Sequence, residues 1–200
     1  MYIPFLKATS IQLLVNSMKR LNLLFALLAF CTLNAQFIKE KAISGSIGFG
    51  YTYPSEDIDI SGSGFYLQGE YVLRHSKWLE LRPYAGIILT KTDETDEVYY
   101  NSYRSSSNAF LIGGKSRFTA PIPWVAPFLE IGVGASFGSF KTVTPNTSLI
   151  KNGVLYHIPW SIGLKIGRHH NFEFGLTYYE HPQARQFCGA MAFGATFPLN

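Results

Sequence analysis

The stretch AISGSIGFGYTY, residues 42–53, sets Ile43, Ile47, Phe49, Tyr51 and Tyr53 on one side of an extended chain. Ala42, Ser44, Ser46, Gly48, Gly50 and Thr52 fall on the other. Successive side chains of a strand point to opposite faces, so this period of two reads as a β-strand with one bulky apolar face and one face of small residues. Helical spacing competes poorly, because Gly recurs inside nearly every run of this kind.

Seven more runs follow in kind, at about 64–74, 78–91, 109–119, 125–140, 154–167, 172–180 and 187–198. Each is long enough for the roughly 9–11 residues that a tilted membrane strand needs. The connections alternate in length. Residues 75–77, 120–123 and 168–171 are short; residues 54–63, 92–108, 141–153 and 181–186 are longer and more polar.

Composition agrees with this unusual pattern. The 200-residue chain is 47% hydrophobic and 16% aromatic but only 15% charged, where a soluble domain carries about a quarter. Met18-Lys19-Arg20, the apolar run Leu21–Phe30 and cleavage after Ala35 have the layout of a secretory signal peptide. Residues 1–17 then read as an over-long N-terminal extension with Met18 as the true start, 18–35 as the signal peptide and 36–200 as the folded domain. Cys31 follows Phe30, too bulky a residue for a lipidation motif. Three of the 17 basic residues, Lys7, Lys19 and Arg20, lie in residues 1–35, and none of the 13 acidic ones does. The remainder is close to neutral, so the basic pI is no argument for nucleic acid. Cys188 is the one cysteine after residue 35, which leaves no internal disulfide.

The faces decide between two kinds of barrel. A soluble lipocalin-like barrel turns its apolar face inward around a ligand. Here the apolar face is bulky, as in Leu129, Ile131, Val133 and Phe137, and the opposite face is Gly, Ala and Ser interrupted by charges. Water-facing strands carry long polar side chains, whereas small residues suit the cramped interior of eight strands. The apolar face is therefore expected to meet lipid. Tyr51, Tyr53, Phe140 and Tyr178 near the long loops, and Trp78, Trp124, Phe118 and Phe172 near the short turns, read as two interfacial girdles.

The chain ends GAMAFGATFPLN, with Met191, Phe193 and Phe197 on one face. This resembles the C-terminal strand signal of outer-membrane proteins, with Pro198-Leu199-Asn200 added beyond the terminal Phe. The mature chain as a whole is similar to the small eight-stranded barrels of the OmpA/OmpX type. That resemblance implies an all-β, antiparallel, up-and-down transmembrane barrel in the outer membrane of a Gram-negative cell. It also implies a monomer inserted by the barrel assembly machinery and surrounded by outer-membrane lipid and lipopolysaccharide, with its short turns periplasmic. It carries no catalytic motif, and many functions share this scaffold.

With the faces assigned, the inward charges are Glu70, Arg74, Glu80, Arg82, Lys115, Arg117, Glu130, Lys165 and Glu173. Four acids against five bases, next to the short turns, are expected to pair into a plug, because an unpaired buried charge costs several kcal/mol. A polar pore or proton path is the functional alternative. Thr52, Gln68, Thr90, Ser136, Gly138, His157, Ser161, Thr177 and Cys188 fill the inward positions nearer the long loops. They predict a wet cavity open to the outside. His157 and Ser161, about 13 Å apart along one strand, are too distant for a nucleophile-base pair.

The remaining motifs are weak. Arg168-His169-His170-Asn171 falls on a short turn, without the three or four ligands that a metal needs. Glu56-Asp57-Ile58-Asp59 and Asp93–Glu97 are acidic loop patches, and Tyr99–Tyr103 is a tyrosine-rich one. Some barrels of this size modify lipid A acyl chains with His and Ser near the outer leaflet. The nearest matches here are His75-Ser76, on the periplasmic side, and Glu180-His181, without an adjacent serine. The expectation is a non-enzymatic barrel with a role in membrane integrity, adhesion or loop-mediated recognition, without cofactor or metal. A small-solute or lipid-binding channel is the first alternative, and a lipid A-modifying enzyme the second.

Overall fold

The computed structural model describes residues 38–56, 60–92 and 103–199. The extension and signal peptide assigned to residues 1–35 lie outside the described residues. So do residues 57–59, residues 93–97, Tyr99 and Tyr100 of the loop patches.

Eight strands follow one another: β1 (Glu40–Pro54), β2 (Gly62–Arg74), β3 (Leu79–Thr92), β4 (Arg104–Thr119), β5 (Val125–Val143), β6 (Ser148–Ile166), β7 (Phe172–His181) and β8 (Gln186–Leu199). Each pairs antiparallel with the next, and β8 closes on β1 through pairs such as Ile43 with Phe197 and Tyr51 with Gly189. Closure leaves no open edge, so backbone groups need no partner from a surrounding apolar phase.

The alternation seen in residues 42–53 becomes an outer wall and a filled lumen. Phe49 is 68% exposed and Val133 71%, while Ser44 and Thr52 on the facing side are at most 1% exposed. Ile47, Leu67, Leu89, Phe110, Ile112, Leu129, Ile131 and Ile162 extend the exposed apolar wall around the barrel. A wall of this kind over a charged interior is stable only in lipid, and the barrel spans a membrane. Trp78 stacks on Phe118 at 6.1 Å and Phe172 on Phe193 at 6.0 Å near the short turns.

Two expectations need correction. Phe140 is 1% exposed and points into the lumen, so it is not part of the girdle. It shares its parity along β5 with the buried Ser136. The connection expected over residues 141–153 is also far shorter, because β5 and β6 each run 19 residues whereas β7 has 10. The Thr144 N–H donates to the Thr147 carbonyl at 2.7 Å, and the Thr147 N–H to the Thr144 hydroxyl at 2.9 Å. This tight turn lets the ladder continue past the membrane into polar sequence. β4 likewise starts at Arg104 rather than near residue 109.

Candidate functional site

The lower lumen is occupied by the nine charges named from the sequence, all on the inner face. Glu70 and Glu130 stand at its centre. Lys115 Nζ lies 2.6 Å from Glu70 and 2.8 Å from Glu130. Arg82 Nε is 2.6 Å from Glu70. Arg117 Nε is 2.5 Å from Glu130, and its Nη1 is 2.5 Å from Glu173. Arg82 also approaches Glu173 at 3.3 Å. Toward the short turns, Lys165 and Arg74 share Glu80 at 2.6 and 3.2 Å, and Arg74 reaches outward to Glu40. The nine charges therefore form a connected lattice across β2, β3, β4, β5, β6 and β7. Phe128, an inward aromatic of β5, lies under the Arg117 guanidinium at 3.8 Å.

Above the lattice the lumen is packed, not open. Tyr66, Tyr84, Ile88, Leu111, Phe140, Leu155 and Tyr179 all point inward and form a buried cluster with Cys188. The expected wet cavity is thus a mistake of volume. The small inward residues are interleaved with large ones on neighbouring strands, and an eight-stranded lumen has room for little else. A small cavity of about 20 Å³ lies between the two layers, bordered by Gln68, Lys115, Glu130 and Thr177. It has the size of a single water site. The layers are joined through the Tyr179 hydroxyl, which donates to Gln68 at 2.5 Å; the Gln68 amide donates to Glu70 at 2.6 Å.

Ser136 is the residue whose role sequence reasoning missed. Its hydroxyl lies 2.6 Å from His157 Nδ1 and 2.8 Å from His181 Nε2, and the Tyr84 hydroxyl is 2.5 Å from His157 Nε2. Four side chains from β3, β5, β6 and β7 thus make one hydrogen-bonded row. It runs in either sense, from Tyr84 toward His181 or the reverse, since Ser and neutral His each donate once and accept once. Gly134 makes the room: a Cβ there would overlap both the Tyr84 hydroxyl and the His157 ring. Parity alone puts Ser136 inward, but only the stagger between strands brings it beside His157. Ser161 instead donates to Thr177 at 3.0 Å.

This arrangement bears on catalysis. Ser136 and His181 are fully buried and His157 is 1% exposed, so no substrate meets the serine hydroxyl in this state. Glu180 pairs with Ile158 and Phe187 on the outer face and does not join His157 and His181. Ser76 accepts the Leu79 N–H at 3.2 Å and serves the β2–β3 turn. Among the described residues no three His, Cys, Asp or Glu side chains are grouped to hold a metal.

Both ends of the lumen are structured. At the long-loop end the Thr142 hydroxyl is 2.9 Å from the Ala184 carbonyl and from the Gln186 side-chain oxygen, which draws the β5–β6 hairpin over the 3₁₀ turn Pro182–Ala184. Thr144 donates to Glu56 at 2.7 Å, and Thr147 donates to the other oxygen of the same carboxylate. These two bonds hold the Glu56 carboxyl below its ordinary range. At the short-turn end a recess of about 320 Å³ is lined by Arg74, Lys77, Glu80, Lys165, His169 and His170 among others. His170 takes a left-handed φ of 55° in the β6–β7 turn, and its Nε2–H donates to the Ile122 carbonyl at 3.1 Å. The paired histidines therefore lie at a turn, and His170 ties it to the β4–β5 connection.

No protein-family model and no curated protein matches the chain. Solved structures do. Neisserial surface protein A superposes with a TM-score of 0.57 at 12% identity, covering 80% of this chain and 97% of that one. The outer membrane protein OprG from Pseudomonas aeruginosa gives 0.50 at 10%, covering 80% and 97%. The outer membrane enzyme PagL gives 0.43 at 14%, covering 79% and 99%, too distant a likeness to bear on activity. Closure of eight antiparallel strands, a lipid-facing wall and the first two superpositions agree: the chain has the fold of the small eight-stranded outer-membrane β-barrels.

Proposed function

We propose that this protein is a non-conducting, non-enzymatic barrel of the Gram-negative outer membrane that acts through its external end. Its role is membrane integrity, adhesion or recognition. The observation that carries the reading is the filled lumen: a connected ion-pair lattice below, an aromatic and histidine layer above, and a cavity of only about 20 Å³ between them. Breaking one buried pair costs about 3–5 kcal/mol. A pore that required two broken pairs would be open less than about once in 10⁴. What remains to act is the outside, where the β5–β6 hairpin rises beyond the wall and is fastened over the mouth by Thr142, Thr144 and Thr147. The protein works as a monomer, is inserted by the barrel assembly machinery and is surrounded by outer-membrane lipid.

Two measurements on the refolded protein test this. Planar-bilayer recording is expected to show no steady conductance; a high, cation-selective one would make the protein a channel. Mass spectrometry of the host's outer-membrane lipids after incubation is expected to show unchanged acyl chains. A lost or transferred chain that depends on His157 or His181 would make it an enzyme.

A further inference from the structure

The short-turn end of the barrel holds a recess that the ion-pair lattice does not fill. It measures about 320 Å³, at the lower end of the roughly 300–1,000 Å³ that small-molecule sites occupy. Its floor is the outermost part of the lattice, where Arg74 and Lys165 share Glu80. One wall is apolar, from Pro121, Ile122 and Pro123 of the β4–β5 connection. Another is polar, from Lys77 of the β2–β3 turn with His169 and His170 of the β6–β7 turn.

The charge of this recess is unbalanced. Arg74 and Lys165 are paired with Glu40 and Glu80, the two carboxylates of the lining. Lys77 is exposed and has no partner among the described residues, and Lys39, Lys41 and Arg168 add exposed cations in the flanking segments. The next carboxylate inward, Glu173, is held by Arg117. No acidic side chain outside the described residues offsets the excess. Glu40 is the first acidic residue of the sequence, while Asp57, Asp59 and Asp93–Glu97 belong to connections at the other end of the barrel.

Two groups of the floor are left incomplete by the fold. Thr119 is 8% exposed, and its hydroxyl has no hydrogen-bond partner among the described residues. The second oxygen of Glu80 meets only Arg82, at 3.9 Å, beyond hydrogen-bond reach. Buried polar groups are nearly always paired, so orphans that border a recess point to something that fills it. Backbone strain gathers at the same place. Two of the three described non-glycine residues with left-handed φ, Trp124 at 68° and His170 at 55°, lie in the two connections that wall the recess. Such strain persists where the surrounding structure makes use of the geometry.

We propose that this recess binds a small organic anion, with carboxylate or phosphate oxygens on Lys77 and His169 and an apolar part against Pro121, Ile122 and Pro123. That the recess opens to the periplasm rests on the reading above. Binding by the refolded barrel does not, so the two fail separately.

Histidine-ring NMR of the refolded barrel in maltoside micelles tests the site. The probes are phenyl phosphate, inorganic phosphate, benzoate and benzamide, the neutral isostere of benzoate. Phenyl phosphate and benzoate are expected to shift the His169 and His170 rings and to leave His157 and His181 unmoved. Benzoate is expected to bind about tenfold more tightly than benzamide, as a charged hydrogen-bond partner does. Phenyl phosphate is expected to exceed inorganic phosphate by about fivefold, because its ring reaches the apolar wall. A Lys77→Gln, His169→Gln variant, read at His170, is expected to lose about tenfold. A Lys39→Gln, Arg168→Gln control, which removes exposed cations of the same end that do not border the recess, is expected to bind normally. Heat-modifiable migration on gels verifies that both variants are folded. Absent shifts, equal binding of benzamide, full binding by the first variant or an equal loss in the control would overturn the assignment. So would displacement of phenyl phosphate by phosphatidylglycerol mixed into the micelles, which would make the recess a lipid headgroup contact.

Discussion

The Arg117 guanidinium bridges two carboxylates of different strands, with Nε 2.5 Å from Glu130 on β5 and Nη1 2.5 Å from Glu173 on β7. Glu130 in turn holds Lys115 at 2.8 Å. One carboxylate is therefore shared by two cations that are at most 4% exposed.

Glu130→Ala is expected to destabilise the barrel by about 3–5 kcal/mol, because it leaves buried positive charge uncompensated. Urea unfolding of the refolded protein in micelles, followed by tryptophan fluorescence, measures this. An unchanged midpoint would remove the lattice from the account of stability.

The orientation of the wall has its own test. Ile131 is 56% exposed on the lipid side of β5. Ile131→Arg is expected to cost about 2–4 kcal/mol if it lies near the bilayer midplane. Folding yield into lipid vesicles reads the loss, and a normal yield would mean that this face does not meet hydrocarbon.

Ser136→Ala removes the hydroxyl that lies between two buried histidines. Each ring then loses one partner, at about 1–3 kcal/mol for an unsatisfied buried group. Histidine ¹⁵N spectra are expected to show changed tautomer populations for His157 and His181 together. A shift at only one ring would show that the row is not continuous.

Glu56 gives a pH dependence. Its carboxyl is held below the ordinary range by Thr147 and Thr144. A depressed folded-state pKa contributes stability that is complete above the unfolded carboxylate value and is lost as pH falls through the folded one. The β5–β6 tip is therefore expected to be fastened at neutral pH and to loosen below the carboxylate range. A spin label on the tip checks this, and Glu56→Gln is expected to be loose already at pH 7. Identical mobility of the two proteins at pH 7 would sink the idea.

Much of this was legible in the residues. The period of two through Ile43, Ile47, Phe49, Tyr51 and Tyr53 determined strand character. Bulky residues against Gly and Ser determined which face meets lipid, and the inward charges followed by parity. These are local properties, since a side chain's face depends only on its place in its own strand. The partners of Arg117, the packing of Tyr66, Phe140 and Tyr179 that fills the upper lumen, and the position of Ser136 between His157 and His181 were decided by tertiary structure alone. Each depends on the stagger of strands far apart in sequence around a closed barrel, and a one-residue slip would turn every one of those side chains to the opposite face.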